Sequence, residues 1–437
     1  MFLNRATLAD RDKVSLTDYL TNFYERYSTI ESYVKAFIPE DDLNNRLKRD
    51  FSSLLEKFPD EKPPFFGVPF AIKDLIHVNG FPTRAGSELP INVLTTKEGS
   101  FISNLRSMGA IFAGKTITEE FAYHSIIPTR NPNNMEHTAG GSSAGSAASV
   151  ASGICPIAVG TQTLRSVIAP ASFCGVVGFK PSYARITLDG VILLSPSFDT
   201  IGFFTQDTNS MNYASSHFIP NWRSFQSDKR PVLGVPKGTF MNLMFDDVKS
   251  AFENQLKTLE KRGYTIRFVD MPWDEDLILG DAMVRMVQGE MAQVHETWFR
   301  QYENLYGSLV KAAITSGQAI PVEELEQLRN GQMKLRMELE KTKRKEGIDL
   351  WVTPAQGGVA PKGYEKTGWA GMTAIWSYAG LPTISIPIMK VDGMPLGFQC
   401  IGSHGNDEEL LFWAEEIERA ESPNEVSGAG TPLESDR

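Results

Sequence analysis

The sequence predicts an α/β layered fold, and three observations carry that expectation. Amphipathic helical segments alternate with short apolar strands along most of the chain, the arrangement of helices layered on a sheet. With 437 residues, 41% hydrophobic and 22% charged, the composition is that of an ordinary globular protein, and a chain of this length buries roughly three quarters of its unfolded surface. One run, Thr138 to Pro181, is almost free of charge: between Thr138 and Phe179 the single charged side chain is Arg165, so most of it belongs in the interior.

Taken in order, residues 1–63 form a mainly helical arm, with helices predicted over 15–37 and 41–58, Pro39 between them, and Pro63-Pro64 at the end. Gly67-Val68-Pro69-Phe70-Ala71-Ile72-Lys73 reads as an apolar strand that ends in a lysine. A helix is expected over 98–108 and a buried strand over 110–113, while 131–139 is polar and reads as loop. Gly140 opens a helix of small residues running to about Gly153, and 160–166 is a second tight passage closed by Pro170. Further on, strands at 232–235 and 264–269 flank a helix over 246–262 that stops at Gly263. Residues 276–347 are mostly helical, and the mixed charges of 322–345 suit a solvated outer face. Strands at 350–354, 383–387 and 396–401 and a helix at 408–419 follow. The end of the chain, 422–437, is rich in Ser, Gly, Pro and Glu and is expected to be a disordered tail.

What the low-charge run offers chemistry is hydroxyl groups, Ser142 and Ser166 on two constrained turns. A serine hydroxyl is a poor nucleophile until a base takes its proton. The run holds no histidine, and His137 only borders it. Lys73 is the other candidate: at the end of a buried strand it loses hydration, which lowers its pKa and lets it act as a neutral base. Asp74 would oppose this if its carboxylate came near, but adjacent side chains on a strand point to opposite faces.

The strings VPFAIKD (68–74), GGSSAGSAASVASG (140–153) and GTQTLRSVIAPASFCGVVGFKPS (160–182) together resemble the amidase signature family. The likeness extends over about 66–201 and resumes over 350–418, which implies one discontinuous domain over 64–421 with a central mixed sheet covered by helices. It also implies a Ser, cis-Ser, Lys triad, falling by motif position on Ser166, Ser142 and Lys73, with a cis peptide before Ser142. An oxyanion would then be held by backbone N–H groups of Thr163, Leu164, Arg165 and Ser166. The implied reaction is cleavage of a linear, non-peptide amide C–N bond through an acyl-Ser166 intermediate, with no cofactor and no metal. Phe121, Tyr123, Trp369 and Trp376 lie in segments that approach the acyl site in similar proteins, although core packing explains each equally well. Ser143 is a further substrate-binding candidate, or a residue that packs the following helix. Similar proteins often pair, which leaves a homodimer open.

The family commonly reads Gly-Thr-Asp-Thr-Gly-Gly-Ser-Ile-Arg where this chain reads Gly160-Thr161-Gln162-Thr163-Leu164-Arg165-Ser166-Val167-Ile168. Gln162 and Ile168 remove both ends of an ion pair, a smaller loss than removing one, because no buried charge is left alone. Leu164 and Arg165 replace glycines, and would be strained if the turn required φ > 0. Arg165 either reaches an acidic substrate group or obstructs the oxyanion turn, the second outcome leaving an impaired scaffold that binds without turnover. A third reading within the same fold is the glutamine-hydrolysing subunit of a tRNA-dependent amidotransferase.

Other classes find less support. The net charge of −10 argues against nonspecific nucleic-acid binding, which relies on clustered Lys and Arg. No apolar run of about 18 residues suggests a membrane span. Cys155, Cys174 and Cys400, with no basic-then-apolar leader, suit a reducing cytoplasm. Gly109 to Thr116 has P-loop spacing, but Ala-Ile-Phe-Ala between its glycines favours a buried strand. Gly141 to Gly145 has nucleophile-elbow spacing around Ser143, but without a preceding strand and with only His404 as a late histidine. The six histidines and three cysteines form no metal-binding spacing.

Overall fold

The computed structural model describes Leu8 and residues 16–421; the tail expected over 422–437 lies outside the described residues. Its strands are β1 (Pro69–Lys73), β2 (Ile111–Thr116), β3 (Arg130–Asn131), β4 (Asn134–Thr138), β5 (Ile157–Gln162), β6 (Val177–Lys180), β7 (Thr200–Thr205), β8 (Val232–Pro236), β9 (Thr265–Val269), β10 (Leu350–Pro354), β11 (Thr383–Val391) and β12 (Met394–Ile401). Ten of them form one mixed sheet in the order β2-β1-β5-β7-β6-β11-β12-β10-β8-β9. β1 runs parallel to both β2 and β5, the middle of the sheet is antiparallel, and β10, β8 and β9 are parallel again. Helices flank this sheet, so the predicted α/β architecture with a central mixed sheet is observed.

The helices predicted over 15–37, 41–58, 98–108 and 246–262 are found at Leu16–Val34, Leu43–Lys57, Ser100–Ser107 and Asp246–Lys261. The charged segment 322–345 is the helix Val322–Glu346, and the last helix is Asp407–Glu421. Ala282–Val294, Glu296–Tyr302 and Ser308–Gln318 lie between Asp246–Lys261 and Val322–Glu346. The arm does not stand apart from the rest: Phe23, Val34, Phe37, Leu47 and Phe51 pack in one apolar cluster with Ala71, Ile111 and Ala144. Its chain also bridges β2, Phe37 to Thr116, and Arg46 donates to the carbonyls of Phe112 and Ala113 at 2.9 and 3.0 Å. The outer edge of β2 is thereby covered, as an exposed edge strand needs to be.

Three segments differ from the sequence expectation. Residues 131–139 contain no apolar alternation, yet β3 and β4 pair there as a two-stranded ribbon, because backbone pairing needs no particular side chains. Gly160 to Gln162 lies in β5 rather than in a turn, and the tight passage is confined to 163–167. β6 and β7 are fully buried strands that alternation could not disclose, since strands covered on both faces lose the period-two signal.

Candidate active site

β1 and β5 lie side by side and parallel, with Ile72 opposite Val159. Their carboxyl ends deliver Lys73 and Thr161 to the same place, the position at which open α/β sheets hold their ligands. Lys73 is wholly buried, and its Nζ lies 2.7 Å from Ser142 Oγ, 2.9 Å from Ser143 Oγ, and 2.9 and 3.3 Å from Thr161 Oγ1 and carbonyl oxygen. Burial lowers its pKa from the ordinary 10.5 to about 7, against the opposing fields of Glu119 and Asp199.

Asp74, the neighbour that could have held Lys73 charged, faces away. Its carboxylate pairs with Lys115 of β2 at 2.7 Å and accepts the backbone amides of Arg84 and Ala85. Lys115 therefore sits inside a strand as a buried counter-ion, with Thr83 Oγ1 at 3.1 Å, and not in a phosphate loop.

The second hydroxyl segment enters from the ribbon. After β4 the chain passes Ala139 to Ser143 and becomes the helix Ala144–Ala151, whose small residues are all buried. The Gly141–Ser142 peptide is cis. A Cβ on Gly141 would lie 2.7 Å from the Glu119 carboxyl carbon, so a side chain there would push the Glu119 carboxylate aside. Ser143 Oγ donates to the Thr161 carbonyl at 3.0 Å and lies 2.9 Å from Lys73 Nζ. Its partners place it in the lysine cage, without a histidine. His404 bonds the Tyr183 carbonyl instead.

Ser166 is 7% exposed and stands in the turn between β5 and the helix Ile168–Cys174. Its carbonyl accepts the Ser143 amide at 3.3 Å, joining the two serine segments. Among the described residues no hydrogen bond joins Ser142 Oγ to Ser166 Oγ, so of the two links in the expected chain of side chains, the lysine–serine link is formed and the serine–serine link is not.

The turn itself divides its amides. Gln162 Oε1 accepts from Val167 and Ile168 at 2.8 and 2.9 Å, while its Nε2 donates to Ser377 Oγ, which in turn donates to the Leu164 carbonyl. The amides of Leu164, Arg165 and Ser166 have no protein acceptor among the described residues. Neither Leu164 nor Arg165 has positive φ, so the strain feared for their side chains is absent.

Arg165 is buried and occupied. Its guanidinium donates to the Gly141 carbonyl at 3.2 Å, to the Thr367 carbonyl, and to Thr367 Oγ1 at 3.1 Å, and Thr367 Oγ1 donates to Glu119 at 2.6 Å. Its guanidinium thus finds its acceptors within the protein.

The aromatic candidates scatter. Phe121 (φ 48) is buried with its ring centroid 4.5 Å from His295 and 5.4 Å from Tyr306, and Trp376 packs against Trp273, Phe240 and Trp351 in the core. For both, the core-packing alternative describes their surroundings. Tyr123 is partly buried and its hydroxyl accepts from Gln288. Trp369 is half exposed, two residues from Thr367. Residues the sequence reading missed are Thr161, Glu119, Asp199 and Thr367. Thr161 stood inside a quoted motif; Asp199, which accepts from Thr163 Oγ1 at 2.6 Å and whose pKa burial raises to about 6, had no spacing to mark it.

The profile of the Amidase family matches residues 18–411. The chain belongs to the Amidase family. The match begins inside the first helix, upstream of the point where the motif resemblance starts. Among curated relatives, a glutamyl-tRNA(Gln) amidotransferase subunit of Sulfurihydrogenibium sp. (strain YO3AOP1) is 29% identical over 92% of this chain and 93% of its own length. The protein of the same name from Geobacillus thermodenitrificans (strain NG80-2) is 28% identical over 95% and 96%. Among solved structures, one described as an amidase superposes with TM-score 0.85 at 29% identity, covering 94% of this chain and 98% of the other. The peptide amidase of Stenotrophomonas maltophilia, at 19% identity and TM-score 0.78 over 95% and 96%, shares the fold. The protein is thus an Amidase-family hydrolase. Among the described residues no helix is long and apolar enough to cross a membrane.

Proposed function

We propose that this protein is a serine amidohydrolase that cleaves a carboxylic amide through an acyl-Ser166 intermediate. The observation that carries the reading is Lys73: an amine buried with no carboxylate partner among the described residues, drawn down to about pKa 7 and 2.7 Å from Ser142 Oγ. Neutral Lys73 takes the Ser142 proton, Ser142 takes that of Ser166, and Ser166 Oγ attacks the amide carbon. The relay requires Ser166 Oγ to close on Ser142 Oγ, and such resting gaps commonly tighten once substrate is bound. The carbonyl oxygen, now an oxyanion, is received by the turn amides of Thr163 to Ser166, each such donor contributing roughly 3 to 4 kcal/mol of transition-state stabilisation. The proton returns through Ser142 to the leaving nitrogen, the C–N bond breaks, and water repeats the sequence on the acyl ester to release the acid. Labelling with a fluorophosphonate tests this directly. Wild type should form one adduct at Ser166 and Ser166→Ala none, whereas an adduct that persists in Ser166→Ala moves the nucleophile elsewhere.

A second reading, the glutamine-hydrolysing subunit of a tRNA-dependent amidotransferase, is favoured by the names of relatives that match over more than nine tenths of both chains. It predicts glutamine hydrolysis, with partner subunits that co-purify from native extract. Hydrolysis of other amides by the isolated chain, without such partners, would favour the first.

A further inference from the structure

We infer that Arg165 is a positioning residue, a clasp that locks the peptide in front of Ser142 and a surface strap, residues 360–369, onto the turn that carries Ser166. The strap runs along the ribbon before it reaches the arginine. The Thr138 amide donates to the Pro361 carbonyl at 3.1 Å and that of Gly363 to the Glu136 carbonyl at 2.9 Å, His137 Nδ1 lies 2.7 Å from the Ala360 carbonyl, and Tyr364 Oη donates to the Met135 carbonyl. β4, which the strap covers, leads straight into Gly140, Gly141 and Ser142. Beyond Tyr364 the next anchorage is Thr367, and there the bonds run to Arg165 and Glu119. Arg165 donates to its carbonyl and hydroxyl, and that hydroxyl donates on to Glu119. Trp369 then returns to the body through its amide and Gln356 Oε1 at 3.3 Å.

The seat is shaped for a guanidinium. Gly368 has φ +105, and a Cβ there would stand 2.8 Å from the Phe173 ring and 3.2 Å from an Arg165 terminal nitrogen, so the strap can lie on the arginine only where it lacks a side chain. Arg165 also donates to the Gly141 carbonyl, half of the peptide whose other half bears Ser142. One planar cation thus ties together three segments far apart in sequence: the nucleophile turn, the relay-serine turn and the strap. A lysine, a point charge on a single stem, would not match this set of acceptors. Its charge is balanced by Glu119 through the Thr367 hydroxyl, so the guanidinium itself offers no free charge to an acidic substrate, which suits neutral amides over acidic ones.

The clasp's catalytic effect rests on the proposed hydrolase, whereas its mechanical effect does not, and two readouts separate them. In Arg165→Ala the fluorophosphonate adduct should still form at Ser166, but on the order of 100-fold more slowly, the usual consequence of a displacement of about 1 Å. Millimolar guanidinium should restore a large part of that rate, and Arg165→Lys should recover little. Hydrogen–deuterium exchange of Arg165→Ala should accelerate over 365–369 while β1 and β5 keep their protection. If Arg165→Ala does not fold, Thr367→Val removes only the bridging hydroxyl and should change both readouts in the same direction by roughly 10-fold. Labelling at the wild-type rate, or unchanged exchange over 365–369, overturns the clasp. Wild type that never labels refutes the hydrolase, and the exchange result still decides the clasp.

Discussion

Replacing Lys73 with methionine tests the feature on which the chemistry depends, an amine kept neutral by burial. The Lys73 pKa falls from 10.5 to about 7 in the folded protein. At about 1.4 kcal/mol for each tenfold change in acidity, that drop is a folding penalty on the order of 5 kcal/mol. The sign follows from proton counting. Below about pH 7 folded and unfolded chains both hold the proton and the penalty is complete. Between about 7 and 10.5 the unfolded chain binds more protons, so stability rises with pH until the penalty is gone. Methionine has no such term. It does forfeit the bonds to Ser142, Ser143 and Thr161, a loss that does not vary with pH. The stability of Lys73→Met minus that of wild type should therefore fall by about 1.4 kcal/mol per pH unit above pH 7. Lys180, whose pKa burial also lowers to about 7, contributes equally to both proteins and cancels. Urea unfolding at pH 6, 7, 8 and 9 measures the difference, and the rate of Ser166 labelling in wild type should rise through a midpoint near 7. A stability difference that stays flat from pH 6 to 9 would mean an ordinary, protonated lysine and would refute the neutral base.

Two substitutions test the supports around that amine and the nucleophile turn. Gln162→Leu leaves the Val167 and Ile168 amides without their acceptor, which should lower stability by about 2 to 5 kcal/mol in urea unfolding at pH 8; a loss below about 1 kcal/mol would mean that the turn does not need the cap. Lys115→Met strands the buried Asp74 carboxylate, at a cost of about 3 to 5 kcal/mol. Burial already raises the Asp74 pKa, so the deficit should shrink as the pH falls and Asp74 takes up a proton. Combining Lys115→Met with Asp74→Asn should restore much of the stability, and a double variant no better than the single one would argue against the pair.

The sequence made Lys73, Ser142 and Ser166 legible because each sits in a local string whose chemistry can be read without knowing the fold: a lysine ending an apolar strand, and serines among glycines in a run with almost no charge. The helical arm and the helices of 276–347 were legible for a similar reason, since helical spacing survives in any surface helix. What could not be read was pairing across the chain. Nothing near Asp74 announces that Lys115, on the next strand, will take its carboxylate. Likewise, nothing in Thr118-Glu119-Glu120 says which acid will turn inward toward Gly141 and Thr367. The P-loop spacing around Lys115 was discounted correctly from its apolar filling, yet the lysine's actual work, as a buried counter-ion, depends on a register that no motif carries.

The differences from the common family string are one rearrangement of buried charge rather than independent losses. An acid at 162 opposite Ile168 would be a carboxylate sealed in the core with amides but no cation, and an uncompensated buried charge costs several kcal/mol. Neutral Gln162 satisfies the same kind of amide donors and uses its nitrogen on Ser377, so it fits a chain whose position 168 is isoleucine. The cation has moved to the other side of the nucleophile, where Arg165 finds Glu119 through Thr367. There it can be tolerated only because the turn does not require left-handed φ at 165 and because Gly368 clears room for the guanidinium. Changing Arg165 to glycine alone would therefore not recreate the family turn: it would leave Glu119 buried without its partner, and should weaken the protein even where the backbone gains freedom.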